Sequence, residues 1–512
     1  MSNVEHHIKR IASSGSGDGS SPAQDIVEAE KAAEAAEDRK LIRKLDWKLL
    51  PWLCFLYLLA FLDRTNIGNA KIAGLSEELG LSVGQYNATL TIFFVSYAVF
   101  EPVTNVLLKS IRPSIFIPAI VTLWGISMTF MGFVTNYPGL MAARWFLGLT
   151  EAGLFPGINY YLSCWYKRSE LGVRAAIFFS AAAASGSFGG LLAGAISLMD
   201  GVGGRPGWAW IFILEGILTV LAGFSSFRFV LDFPGETRHI SVGEKARILR
   251  RLAEDQPHAL EGSAARETEF KSRYLTVALK DWKTWLSMAI YMGCDMPLYA
   301  FSLFLPSIID ELDFGIEELE SDAGGVSSST VRSQLLSAAP YVTAAIITVI
   351  VGWVADRTSR RGICNLIAGT VGAAGFAMLL GSEDAAVKYA GTFLAALGIY
   401  PCISNTISWV ANNTEGVYKR GIVLGLTIGW GNLTGIVSSN IYFRAPKFTE
   451  GHAVVLGFLT LFLVGGSLVM LVFLTRENKK RRNGERDNVL EGKTEEEVEG
   501  LGDMHPGFQY TL

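Results

Sequence analysis

Apolar stretches of about twenty residues, the length an α-helix needs to cross ~30 Å of hydrocarbon at 1.5 Å per residue, recur along the whole chain. Short polar or charged runs bound each one. The pattern predicts twelve spans. Six are 48–68, 88–108, 114–134, 138–162, 175–197 and 208–231; six more are 284–308, 333–354, 363–381, 388–411, 421–443 and 452–475. Between the two sets, residues 232–283 are dense in Lys, Arg, Glu and Asp and hold no apolar run long enough to cross. The expected fold is an all-α membrane protein with 12 transmembrane helices in two six-helix bundles, 46–231 and 284–476. The remainder reads as a cytoplasmic, largely disordered N-terminal tail (1–45), a cytoplasmic central loop (232–283) and a solvated cytoplasmic C-terminal tail (477–512).

Composition sharpens this picture. Of 512 residues 50% are hydrophobic and only 18% charged, a mixture that would leave a soluble chain covered in adhesive patches. The net charge of −4 offers no basic field, so nucleic acid is not an expected partner. Five cysteines are scattered without a CxxC or Cys/His cluster, which argues against a disulfide framework or a zinc site. No metal or cofactor is expected beyond a coupling proton. Residues 1–38 are polar and lack the apolar core of a signal peptide, so insertion is expected to start at the first span.

Short loops give the orientation. Twenty Lys and Arg lie on one side, from Arg39, Lys40 and Arg43 before the first span to Arg476 and Lys479–Arg482 after the last. The opposite loops hold six: Lys71, Arg205, Arg332, Lys388, Arg444 and Lys447. The basic side is expected to be cytoplasmic, with both termini on it.

Ionisable residues inside a bilayer are costly and mark function by default. The first half carries Asp63 and Arg64 in its first span, Glu101 in the second, Arg144 and Glu151 in the fourth and Glu215 in the sixth; the second half offers Asp295. Helical rise places Asp63 and Arg64 roughly 22 Å up from the basic side and Arg144 at a similar level. Glu151 falls past the midplane, two turns from Arg144 and on the same helix face. The expectation is two carboxylates and two guanidiniums around one aqueous cavity, the alternative being that Asp63–Arg144 and Arg64–Glu151 are fixed salt bridges holding helices together. Guanidiniums keep their charge and grip carboxylates bidentately, so the cavity suits an anion. The carboxylates, Asp63 and Glu151, are expected to carry the coupling proton. Glu101 and Glu215 read as caps of, or cross-links between, neighbouring helices. Asp295 and Tyr299 flank Pro297, which is expected to break its helix beside a substrate.

Small residues punctuate the spans with GxxxG spacing, notably Gly186, Gly190 and Gly194, then Gly421, Gly425 and Gly429, as expected where helices slide past each other. Gly352, Asp356, Arg357, Arg360 and Arg361 lie in the loop 352–362 and form a candidate cytoplasmic gate. That loop resembles the GxxxDRxGRR loop of the major facilitator superfamily, with Ser359 where the family usually has Gly.

Phe61-Leu-Asp63-Arg64-Thr-Asn66-Ile-Gly68-Asn69-Ala70 and Arg144-Trp-Phe-Leu-Gly148-Leu-Thr-Glu151-Ala-Gly153-Leu-Phe-Pro156-Gly157 resemble the anion:cation symporter family of that superfamily. Gly431-Asn432-Leu-Thr-Gly435 is similar to the fungal allantoate permease branch, and Cys294-Asp295-Met-Pro297-Leu-Tyr299 looks most like its high-affinity nicotinate permeases. The resemblance implies a monomeric plasma-membrane carrier that imports a small organic anion with protons by alternating access. It implies Asp63 and Arg64 as the first-helix acid and substrate-binding arginine, and Arg144 and Glu151 as the fourth-helix arginine and proton-coupling glutamate. With these, Arg64, Arg144, Asp295, Tyr299 and Asn432 are the candidate substrate residues and Asp63 and Glu151 the candidate proton carriers. The loop 310–332 is longer and more acidic than that family's usual connection. An exporter of an acidic metabolite and a non-transporting sensor remain as alternatives; an enzyme is not expected, because no nucleophile–base pair occurs in the spans.

Overall fold

The computed structural model describes residues 22–237, 239–255, 272–312, 328–415, 417–443, 447–494, 498 and 501–512. The regular structure among them is helical throughout. Two compact units divide the chain, Met1–Trp52 and Leu53–Leu512. The first contributes the start of helix α1, Pro22–Ala70. All that follows concerns the second.

After α1 come α2 (Val83–Ser110), α3 (Pro113–Met131), α4 (Tyr137–Glu151), α5 (Leu154–Ser163), α6 (Arg168–Ser197) and α7 (Gly207–Phe229). Two short helices, α8 (Val242–Asp255) and α9 (Ser272–Lys280), occupy the central polar region; residues 256–271 lie outside the described part. The second half holds α10 (Trp282–Asp310), α11 (Ser328–Thr358), α12 (Arg361–Gly381), α13 (Ala385–Asn412), α14 (Val417–Ser438), α15 (Thr449–Phe458) and α16 (Gly466–Arg482). A π-helical stretch, Leu459–Gly465, joins α15 to α16, so these three form the last span. The acidic part of the 310–332 loop, 313–327, lies outside the described residues.

Ten helices among the described residues are long and apolar enough to cross a membrane. The two remaining expected spans are present in other forms. Helix α2 is 28 residues long, but polar side chains, among them Asn87, Ser96, Glu101 and Thr104, dilute its apolar character. The fourth span is broken into α4 and α5 immediately after Glu151. Pro156 explains the break: it has no N–H to give the Ala152 carbonyl four residues back, and its ring crowds that carbonyl. The expected break at Pro297 does not occur, since α10 runs unbroken through Pro297 and Pro306.

Glycines set how closely the halves approach. On α6, Gly186 faces the Tyr341 ring and Gly190 the Gln334 carbonyl, both on α11. On α14, Gly435 lies against Phe94 of α2, and a Cβ on Gly68 of α1 would sit 2.7 Å from the Leu303 carbonyl of α10. Hydrogen bonds follow the same seams. Near the ends opposite the basic loops, Ser187 Oγ donates to the Ala338 carbonyl (2.8 Å) and Asn440 Nδ2 to Thr91 Oγ1 (2.8 Å). At the basic-loop end, the Val173 amide donates to Asp356 Oδ2 (2.6 Å). The halves touch at both ends, and the residues between are enclosed.

Residues 501–512 depart from the expected solvated tail, whereas 482–494 are largely exposed. Asp503 is 1% exposed and Tyr510 is buried. Lys419 Nζ lies 2.8 Å from Asp281 and 2.7 Å from Asp503, and Lys283 pairs with the same two carboxylates. Asn478 clasps the Tyr510 backbone with two bonds of 2.8 Å, while Trp409 and Asn413 both donate to the Thr511 carbonyl. Burial pushes the Asp281 carboxyl up, but Lys283 and Lys419 outweigh it and hold it below the ordinary carboxylate value. Charge run and polarity resemble disorder in a sequence; here the acids find buried lysines.

Candidate functional site

Asp63 and Arg64 are neighbours in α1, and at 3.6 residues per turn consecutive side chains point about 100° apart. They therefore enter different surroundings. Asp63 turns into the first half, where its Oδ2 accepts from Trp124 Nε1 of α3 and Thr219 Oγ1 of α7, both at 2.8 Å. Arg64 turns toward α2, α4 and α10. The hydrogen-bond partners of Asp63 are Trp124 and Thr219, not Arg144, and Glu151 is the acid that grips Arg64.

Arg64 pairs with Glu151, its Nε donating to Oε1 at 3.0 Å and its Nη2 to the same oxygen. Depth alone separates the two backbones, and side-chain direction closes the gap. Helical side chains lean toward their own N-terminus, and α1 and α4 run oppositely, so Arg64 and Glu151 lean toward each other. Four rings surround the Arg64 guanidinium: Phe61, Phe93, Tyr97 and Tyr299 have centroids 5.6, 5.4, 4.9 and 5.6 Å from its Cζ. Arg144 lies on the same Phe93 ring, 5.1 Å from the centroid. Its Nε donates to the Thr89 carbonyl at 3.4 Å, while Nη1 and Nη2 are buried without partners.

From Arg64 a string of hydrogen bonds runs into the second half and back. Arg64 Nη1 donates to Tyr299 Oη (2.8 Å), Tyr299 Oη to Asn432 Oδ1 (2.6 Å), and Asn432 Nδ2 to Glu101 Oε2 (2.8 Å). Glu101 is thus part of the site and links α2 to α14 across the halves, where a local cross-link was expected. Its neighbours Gly429 and Gly431 leave room: the Glu101 carboxyl lies against Gly429, and a Cβ on Gly431 would come within 3.0 Å of Asp295 Oδ2. Asp295 is 2% exposed, and that oxygen has no partner. Glu215 takes a bond from Asn66 and, like Asp63, belongs to the interior of the first half. The signal for Glu101 in the sequence was its depth alone; nothing local distinguishes it from Glu215.

At the basic-loop end, Asp356 pairs with Arg361 while accepting from the Val173 amide at the start of α6, and Arg361 Nη1 reaches Asn405 Oδ1 (3.2 Å). Gly352 abuts Ala176 of α6. Arg357 and Arg360 are exposed and stand off this contact, Arg357 resting over Trp353. Ser359 has φ +53°, the left-handed turn that favours glycine.

Residues 53–439 match the family described as Major Facilitator Superfamily. The chain belongs to that superfamily. Among its relatives is an MFS-type transporter, cnsO, of Penicillium expansum, 33% identical over 95% of this chain and 93% of the relative. An uncharacterized transporter of Schizosaccharomyces pombe is 34% identical over 95% of this chain and 96% of its own. The high-affinity nicotinic acid transporter of Saccharomyces cerevisiae is 31% identical over 92% of this chain and 85% of its own. In fold, the chain is similar to the inward-facing, occupied crystal structure of a bacterial homologue of the human lysosomal transporter Spinster. That likeness has a TM-score of 0.51 at 17% identity and covers 83% of this chain and 94% of the other. This major facilitator protein is a multi-pass membrane transporter, not an enzyme.

Proposed function

We propose that the chain imports a small organic anion together with protons by alternating access, with an aromatic carboxylate of the nicotinate type as substrate. One observation carries the reading: a buried arginine, Arg64, is held by one acid and ringed by four aromatic side chains, where both halves meet. A substrate carboxylate competes with Glu151 for the Arg64 fork, and Glu151 takes a proton when displaced, since a bare buried carboxylate is costly. The unpartnered Nη1 and Nη2 of Arg144 offer a second anchor. Tyr299 and Asn432 present polar atoms from the second half, and the rings offer faces on which a planar acid stacks. The name of the S. cerevisiae relative supports the substrate class. Parting of α6 from α11 at Asp356 and Gly352 opens the basic-loop side. The count of Lys and Arg supports that side, with both termini, as cytoplasmic, and the name of the S. cerevisiae relative fits a carrier of the plasma membrane, which we read as a monomer.

The test is uptake of labelled nicotinate by a transport-deficient cell at several external pH values. Uptake is expected to rise as external pH falls, and Glu151→Gln to lose pH-driven accumulation. Full accumulation by Glu151→Gln sinks the proton assignment. Competition by a panel of acids is expected to rank aromatic above aliphatic carboxylates.

A further inference from the structure

Glu101 is the far end of the string that begins at Glu151, and its position implies more than a cross-link. The string is polarised bond by bond. A guanidinium has no acceptor, so Arg64 fixes the direction, and both terminal carboxyls accept. Glu101 Oε2 is occupied by Asn432, while Oε1 is buried and without a partner. The charged and titratable groups that face Glu101 are Arg64 from α1, Tyr97 from its own helix and Asp295 from α10, with Tyr299 one bond further through Asn432. Glu151 and Arg144 from α4 lie beyond them, one paired with Arg64 and the other on the Phe93 ring that Arg64 also touches. Helix α14 brings Asn432 and Gly429 against Glu101, while Gly431 lies against Tyr291 and Asp295.

Charge balance then decides. Two buried guanidiniums, Arg64 and Arg144, lie on one Phe93 ring, and three buried carboxyls, Glu101, Glu151 and Asp295, lie around Arg64. With every acid ionised the set is already one negative charge in excess, and an entering carboxylate makes it two. Uncompensated charge at such depth is strongly disfavoured, so a loaded, enclosed state calls for two protons, of which Glu151 takes one. We infer that Glu101 takes the other, as a second coupling acid whose proton sits on Oε1 while Oε2 stays bonded to Asn432.

This extension rests on the Arg64–Glu151 reading above. It makes proton binding and closure favour each other: the protonated carboxyl keeps its bond across the halves without adding charge. When α2 and α14 part, the carboxyl meets water, the O–H bond breaks and the proton passes to water. The unbonded Asp295 oxygen lies on the α10 side of Gly431, with no bond that reports closure, which is why Glu101 and not Asp295 receives the assignment.

The experiment compares parent and Glu101→Gln protein in liposomes, where glutamine retains an oxygen for Asn432. The ratio of protons to nicotinate is measured from paired fluxes, and infrared spectra follow the carboxylic-acid C=O band across pH 5 to 8. Glu101→Gln is expected to lower the ratio by one proton per nicotinate, so a gradient of one pH unit drives about tenfold less accumulation. Counterflow, which needs no net proton movement, is expected to fall much less. The infrared band of one titrating carboxyl is expected to disappear, and Glu101→Asp to restore it. An unchanged band, or an unchanged ratio, overturns the inference. A parent that moves no nicotinate but loses the band on substitution refutes the substrate reading and leaves Glu101 standing.

Discussion

Two buried knots of opposite charge lie in this chain, and they differ in how completely they are tied. In the knot at 501–512, Lys283 and Lys419 share Asp281 and Asp503, and Arg481 donates to the carbonyls of Asp503, His505 and Phe508 and to Tyr510 Oη. Each cation there has its anion. In the knot around Arg64, by contrast, Arg144 Nη1 and Nη2, Glu101 Oε1, Glu151 Oε2 and Asp295 Oδ2 are buried without partners. A saturated knot holds helices together and has nothing left to offer. An unsaturated one holds free energy in reserve, because each orphaned group gains when a ligand or proton arrives. That contrast, more than the presence of buried charge, separates a fastening from a transport site.

The strongest way to break the comparison is to shorten Arg64. Arg64→Ala is expected to abolish nicotinate uptake, by at least about a hundredfold, because a charge-assisted bidentate grip is worth several kcal/mol in a dry site. Arg64→Lys keeps the charge without the fork and is expected to remain more than tenfold impaired, while Lys419→Arg in the saturated knot leaves uptake near the parent. Equal tolerance at both positions would remove the distinction. Next in size, Asp503→Asn leaves two buried lysines short of an anion and is expected to cost about 3 kcal/mol of stability. It should lower the melting temperature in detergent and change the KM for uptake less than twofold.

The smallest effect is on pH. Asp281 is held below the ordinary carboxylate range, so its contribution to stability is complete above that range and is lost only as pH falls through the depressed value. Between pH 7.5 and pH 5 the segment 501–512 is therefore expected to stay equally protected from protease, while nicotinate uptake changes steeply over the same interval. Loss of protection at pH 5 would show that the two knots titrate together.

How far these features can be read from residues alone depends on their physics. Span length and the basic loops follow from local composition, and the all-helical fold with its enclosed Arg64, Arg144 and Glu151 was legible there. The partners were not. Asp63 and Arg64 are adjacent in sequence yet a third of a turn apart in direction, which sends one to Trp124 and the other to Glu151. Glu101 needed the opposite half to reveal its role, since Asn432 lies 331 residues away. Pro156 broke its helix and Pro297 did not, although both interrupt hydrogen bonding in the same way; Pro156 has Gly153 and Gly157 beside it to yield, whereas α10 is clamped where Gly293 meets the backbone of Leu463. A tail rich in acid and glycine reads as solvated until a pair of lysines buried elsewhere is known.

The docked segment also bears on how the protein can be handled. A probe that recognises residues 501–512, whether an antibody or a labelling enzyme, meets a strip already engaged with α10, α13, α14 and α16. Its accessibility becomes a gauge of whether the second half is intact, readable in native membranes without any substrate.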